Sequence, residues 1–329
     1  MVSRLSLLAD PMIAVLLIAT TLAIVQPATG DARGTAQIIS NAAIFVLFLV
    51  NGMRIARGEI ARGLANWRFF LPLFLWVFGA MPAIGLGLSQ VAAIWLPPMV
   101  ALGFLFLGTL PSTVQSATSY TNLAGGNVAL SVVGAALINI AGVFITAPLF
   151  AALAGSEAAD IGSETIVRIG LILILPFIIG QAVQRWTIDW LRSRKSKVAW
   201  IDRIVIGTAV YVAFSGAVEQ GLGNMFGAAG WAIFTGLLVI YLTVATGGAW
   251  VSGGALSLPR ENRIAFVFAG AQKSVAIGAP LAAILFPADV AGFVIAPLLL
   301  YHLLQLVVAA PFATILAKGT ILSKGNASG

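Results

Sequence analysis

Two tracts, one in each half of the chain, carry the residues best suited to chemistry. The later one reads Phe268-Ala-Gly-Ala-Gln272-Lys273-Ser274-Val-Ala-Ile-Gly-Ala-Pro280, and its lysine stands roughly ten residues from either end of an otherwise apolar stretch. An uncompensated ammonium at that depth in a bilayer costs at least about 2.5–3.5 kcal/mol on insertion scales, so such a residue marks a functional site by default. The bland alternatives are snorkelling, which the side-chain stem is too short to achieve from mid-span, and a structural pair with helix carbonyls.

The earlier tract runs from Pro111 to Asn122, and nine of its twelve residues are polar or hydroxyl-bearing while none is charged. Pro111 has no N–H and clashes with the preceding turn, so it breaks or kinks a helix. The carbonyls it frees need partners, which side chains, water, ions or substrate supply. The alternative is an ordinary polar loop. Asn127 and Ser131 lie one turn apart on the helix that follows and can face the same place. Candidate substrate- or ion-binding residues are therefore Gln115, Ser116, Thr118, Asn127, Ser131, Gln272, Lys273 and Ser274. His302, the single histidine, and Asn139 read as helix–helix hydrogen-bond partners.

The elements that must hold these tracts follow from composition. Of 329 residues 60% are hydrophobic and 9% charged, with a mean hydropathy of +1.03. A soluble protein carries about 25% charged residues. That excludes a cytosolic enzyme, a nucleic-acid-binding protein and a disordered scaffold, and it asks for an all-α polytopic membrane protein. The absence of cysteine excludes disulfides and thiolate chemistry. Ten candidate spans lie near 11–27, 35–53, 68–88, 92–110, 127–152, 165–185, 204–222, 229–251, 263–286 and 290–316. A cleaved signal peptide ending near Ala28 is the less favoured reading of the first, which lacks a small-x-small cleavage site.

With ten spans both termini share a side, and that side holds fifteen of the eighteen basic residues, from Arg4 and Arg54 to Lys318 and Lys324. Arg33 and Arg168 alone fall opposite, and Lys273 lies within a span. Positive charge marks the cytoplasmic face, so both termini are expected in the cytoplasm of a cell with the chain in its inner (plasma) membrane. The net charge of +7 then reflects this bias and not nucleic acid, and the run 192–197 reads as a cytoplasmic loop. All eleven carboxylates fall in connections or at span ends. The usual means of coupling to protons or sodium, a mid-membrane carboxylate, is missing. Trp67, Trp95, Trp186 and Trp190 read as interface anchors.

The spans divide as five plus five, residues 1–155 and 156–329, and an odd number per half inverts the second copy. Both interrupted segments are fourth in their halves. Inverted repeats with discontinuous helices at the substrate site are a construction principle of secondary transporters. Such helices would cross near the midplane and bring Gln115 and Ser116 toward Gln272 and Lys273.

At Asn51-Gly-Met-Arg54, Arg62-Gly-Leu-Ala-Asn-Trp-Arg68, Pro111-Ser-Thr-Val-Gln-Ser116, Gly126-Asn-Val-Ala-Leu-Ser131 and Gln272-Lys273-Ser274, the chain resembles the bile acid:sodium symporter family, in its sodium bile acid symporter-like branch. The resemblance implies ten helices in two inverted repeats, with the fourth and ninth unwound and crossing. It also implies a core domain of helices 3–5 and 8–10 that moves against a panel domain of helices 1, 2, 6 and 7. Sodium ligands carried over from the family would be Ser116, Ser131 and Gln272. The chain departs from that pattern at Ala135, where a threonine is expected, at Phe268, where a glutamate is expected, and at Lys273 in place of an asparagine. A lysine ammonium can stand where a sodium ion would and supply its charge permanently.

The expectation is thus a secondary transporter of organic anions, bile-acid-like carboxylates or sulfonates, working by alternating access without sodium and with Lys273 as fixed cation. It needs no cofactor, no obligatory protein partner and no nucleic acid, only substrate and bilayer. The alternatives are a sodium-coupled anion symporter with an altered sodium site, and a non-transporting membrane regulator. A membrane-embedded Ser-Lys hydrolase fits poorly, because Lys273 and Ser274, as helix neighbours, would point about 100° apart.

Overall fold

The computed structural model describes residues 11–54, 58, 66–155, 167–221 and 227–325, with side chains up to 318. Every regular element among them is helical. In chain order they are α1 (Pro11–Val25), α2 (Gly30–Arg54), α3 (Trp67–Ala92), α4 (Pro98–Thr109), α5 (Val114–Leu123), α6 (Val128–Ala154) and α7 (Val167–Ser193), then α8 (Lys195–Glu219), α9 (Ala228–Ala255), α10 (Arg260–Ala271), α11 (Val275–Leu285) and α12 (Ala288–Gly325). Arg4, Asp10, Arg57, Glu59, Arg62, Glu157, Asp160 and Glu164 lie outside the described residues.

Among those residues eight segments are long and apolar enough to cross a bilayer, one of them the pair α10–α11. A ninth is the pair α4–α5, bent by 63° at its break. The tenth expected span, α1, contributes 15 helical residues among those described, against the roughly 20 that a bilayer core requires. Together these describe a polytopic membrane protein. Leu17, Ile18, Leu22, Ile38, Leu71, Leu171, Ile178 and Val251 present their side chains outward, as helices solvated by lipid do and helices solvated by water do not. The enclosed elements are the broken ones: α4, α10 and α11 are buried almost throughout.

Backbone irregularities follow the prolines. A π-helical turn at Trp76–Ala80 precedes Pro82 in α3, and a second such turn at Gly170–Ile174 precedes Pro176 in α7. A proline leaves a carbonyl one turn back without its donor, and a wider turn absorbs the mismatch. The run 192–197 is not a loop. α7 continues to Ser193 and α8 begins at Lys195, so only Arg194 separates two helices whose solvated ends carry the charges.

Small residues set the spacing around the first break. A Cβ on Gly108 would meet Met81 and Pro82 backbone at 2.9 and 3.0 Å, so α3 and α4 touch main chain to main chain there. A Cβ on Gly142 of α6 would strike the Pro111 ring at 2.6 Å. The proline that ends α4 is thus seated in a notch that only glycine leaves open.

Candidate functional site: two helix breaks in contact

α4 ends at Thr109, and Leu110 turns extended with ψ 146°. A helix end leaves four carbonyls unpaired, and buried carbonyls without partners are costly. Here every carbonyl from 106 to 112 accepts a hydrogen bond. The Thr109 hydroxyl donates to Phe106 O at 2.8 Å and Leu110 N to Leu107 O at 3.4 Å. Lys273 Nζ donates to Gly108 O at 2.9 Å and to Leu110 O at 2.7 Å. Thr146 Oγ1 donates to Thr109 O at 3.0 Å, Ser274 N to Pro111 O at 3.0 Å, and Asn139 Nδ2 to Ser112 O at 2.6 Å.

The second break, Gln272–Ser274, is held in the same way. Tyr301 donates its hydroxyl proton to Ala271 O at 2.8 Å. Gln305 Oε1 accepts from Lys273 N at 2.8 Å, while Gln305 Nε2 donates to Lys273 O at 3.1 Å and approaches His302 Nδ1 at 2.8 Å. Thr113 Oγ1 donates to Lys273 O at 2.6 Å, and Ser116 Oγ donates to Gln272 Oε1 at 2.9 Å. The breaks therefore touch directly. Lys273 is wholly buried, and its ammonium sits at the negative end of α4, where a cation is favoured.

Beside the contact lies a cavity of about 480 Å³. One wall is the start of α5 and of α11, with Gln115, Ser116, Ser119, Ser274 and Val275. Opposite stand Asn51 and Arg54 of α2 and Asp202 and Arg203 of α8, while α6 adds Asn139 and α12 adds His302. Neither Thr113 nor Ser274 caps its helix through the side chain. The first-turn N–H groups of both half-helices are therefore presented without a side-chain acceptor, and such ends attract anions. Arg54 and Arg203 add positive charge, with Arg54 bonded to Asp202 at 2.7 Å. Far along α2 from Arg54, about 25 Å by helical rise, Gln37 donates to Ala283 O at 3.3 Å and Arg33 pairs with Glu219.

Of the eight residues singled out in the sequence, Gln115, Ser116 and Ser274 line this cavity, and Gln272 and Lys273 lie behind its wall in the contact between breaks. Three do not converge there. Asn127 is the N-cap of α6, accepting from Leu130 N and donating to Asn262, because a helix start recruits an Asn oxygen. Ser131 receives a hydrogen bond from Thr121, and Thr118 Oγ1 is buried with no partner among the described residues. Most of the tract expected to be irregular is the helix α5, with the break confined to Leu110–Thr113. Arg54, Arg203, Gln305 and Tyr301 were not singled out. Arg54 and Arg203 read as face-marking charges, and Gln305 carried one available signal, its place one turn after His302.

The sequence model of the SBF-like CPA transporter family (DUF4137) matches residues 10–318. The chain belongs to this family. It is 36% identical over 306 residues to "Uncharacterized protein PA2026" of Pseudomonas aeruginosa, across 92% of this chain and 90% of that one. It is 33% identical over 304 residues to "Putative symporter YfeH" of Escherichia coli, across 92% of each chain. "Sodium/bile acid cotransporter 7" of Mus musculus is 22% identical over 277 residues, across 82% of this chain and 80% of that one. The family of bile acid:sodium symporters read from the tract motifs is thus the right one, and the chain is a multi-pass membrane transporter. The hydrolase alternative gains nothing from the site, where Lys273 Nζ is engaged by two carbonyls and turned away from the cavity.

Proposed function

We propose that this member of the family carries organic anions by alternating access and does so without sodium. The observation that carries the reading is the pair of half-helix N-termini, α5 and α11, opening uncapped on one cavity that Arg54 and Arg203 also line. Discontinuous helices that aim N-termini at an anionic group are the transporter form of helix-end anion binding. The cavity's remaining wall is largely apolar, with Leu47, Phe48, Val143, Phe177 and Leu306, which suits an amphipathic carboxylate or sulfonate.

Sodium independence rests on what occupies the expected ligand positions. Phe268 stands where the family resemblance calls for glutamate, and its ring packs on Tyr120 and Phe312 with centroids 5.9 and 6.1 Å away. Ser116 and Gln272 satisfy each other, and Ser131 is engaged by Thr121. Lys273 supplies a fixed positive charge to carbonyls that would otherwise suit a cation.

The motion follows from two inverted repeats, residues 1–155 and 156–329, with spans 3–5 and 8–10 as the core and spans 1, 2, 6 and 7 as the panel. Helix contacts support the repeat: α1 packs on α8 as α7 packs on α2, and α3 packs on α4 as α9 packs on α10. The cavity between Arg54 and the breaks is the state open toward the basic face, which is the cytoplasmic face of an inner membrane. Gln37–Ala283 and Arg33–Glu219 close the other end.

Thermal stability of the purified protein against a panel of organic anions, each in sodium and in choline buffer, tests this reading. A ligand at 100 times its dissociation constant adds about 2.7 kcal/mol. Stabilisation equal in the two buffers is expected. Stabilisation that needs sodium would return the chain to ordinary sodium symport. A membrane regulator would show no anion-dependent shift at all.

A further inference from the structure

A second cavity, of about 220 Å³, lies where α7 meets α8, and its lining is Arg54, Ile188, Leu191, Arg192, Lys195, Val198 and Ala199. Three cations converge on a space below the roughly 300–1,000 Å³ of a drug-sized site. Neither Arg192 nor Lys195 has a carboxylate partner among the described residues, whereas Arg54 has Asp202. The first turn of α8 adds nothing negative: it holds Lys195 and Lys197 and no acidic side chain. Positive charge there opposes the helix dipole, so an anion among these side chains would relieve an unfavourable arrangement.

The cavity also sits at the level of a membrane interface. Trp186, Trp190 and Trp200, on the same two helices, are 66, 56 and 47% exposed, with Arg185, Arg194 and Arg203 stacked on their rings. Exposed tryptophans with basic partners form the belt that lies among lipid headgroups. Ile188, Leu191 and Val198 give the cavity an apolar wall beside its charges, as basic pockets between spans do when they hold anionic lipid.

We propose that this cavity binds the headgroup of an anionic phospholipid, its phosphate taken by Arg192 and Lys195 and approached by Arg54. Because Arg54 and Ala199 line both cavities, the lipid rests against the wall of the transport cavity.

The test uses the purified full-length protein in detergent, with thermal unfolding followed during titration with dioctanoyl phosphatidylglycerol, dioctanoyl phosphatidylcholine or inorganic phosphate. Phosphatidylglycerol should raise the midpoint saturably, and neither phosphatidylcholine nor phosphate at equal concentration should reproduce it. Arg192→Gln with Lys195→Gln should weaken the phosphatidylglycerol titration at least tenfold and leave the lipid-free midpoint in place. Arg185→Gln with Arg194→Gln, basic positions outside the cavity, should leave the titration unchanged. If the double glutamine variant does not fold, the single Lys195→Gln change, at an exposed position, gives the same comparison. Equal shifts from both lipids, a shift reproduced by phosphate, or one untouched by the cavity substitutions would overturn the assignment.

Discussion

Gln305 grips the main chain of Lys273 on both sides, its carbonyl oxygen accepting from the lysine N–H at 2.8 Å and its amide donating to the lysine carbonyl at 3.1 Å. A side-chain amide here takes the place of a helical neighbour and keeps the second break extended instead of coiled. Since the ammonium of the same lysine holds the carbonyls of the first break, Gln305 positions both.

Replacing Gln305 by leucine leaves two buried backbone groups short of a partner. Each such loss costs about 1–3 kcal/mol, though Lys273 O keeps its bond from Thr113. Gln305→Leu should therefore lower the unfolding midpoint clearly, and Gln305→Asn, one methylene shorter, should not restore it. A midpoint unchanged by the leucine would show that the break is held without the amide.

Lys273→Met keeps the stem and removes the ammonium. Gly108 O and Leu110 O are then orphaned in a fully buried place, which outweighs the relief of burying one charge less. The variant should unfold about 1–3 kcal/mol more easily by the same accounting of unpaired groups. Equal or greater stability by chemical or thermal unfolding would mean that the lysine is a cost borne for transport alone.

Gly52 of α2 and Gly180 of α7 face each other so closely that a Cβ on either would run into backbone, at Phe177 O and Leu49 O respectively. Gly52→Ala and Gly180→Ala should each destabilise by about 1–3 kcal/mol, as overpacking does. Gly236, inside α9, has open space where a Cβ would stand, with nothing within 4 Å of it. Gly236→Ala should be neutral or stabilise by up to about 1 kcal/mol. Unfolding midpoints of the three variants check the contrast.

The chain has no cysteine, so single thiols report sidedness without background. In intact cells, Ser196→Cys should resist a membrane-impermeant maleimide and Gly34→Cys should react with it. The reverse pattern would place the basic face outside.

Much of the helical frame was legible because lipid-facing surface must be apolar on average over a span, and α2, α6, α9 and α12 are each one unbroken helix of that character. Both breaks were legible for a different reason: Pro111 removes a donor, and the Lys273 ammonium is too costly in lipid unless acceptors meet it. The convergence of side chains was less so. Asn127 and Ser131 have the spacing of a shared face but are drawn to a helix cap and to Thr121 by contacts that no periodicity encodes. Arg54 and Arg203 read in the sequence only as part of the basic face, and it is the packing of α2 beside α8 that makes them a wall of the cavity.

The most direct measurement is accumulation of a radiolabelled organic anion, chosen by thermal stabilisation, in proteoliposomes preloaded with the unlabelled compound. Sodium is present in one set and replaced by choline in the other. Counterflow of equal rate and extent in both is the expected result, with Lys273 carrying the charge that sodium supplies elsewhere. Counterflow that appears only with sodium would contradict it.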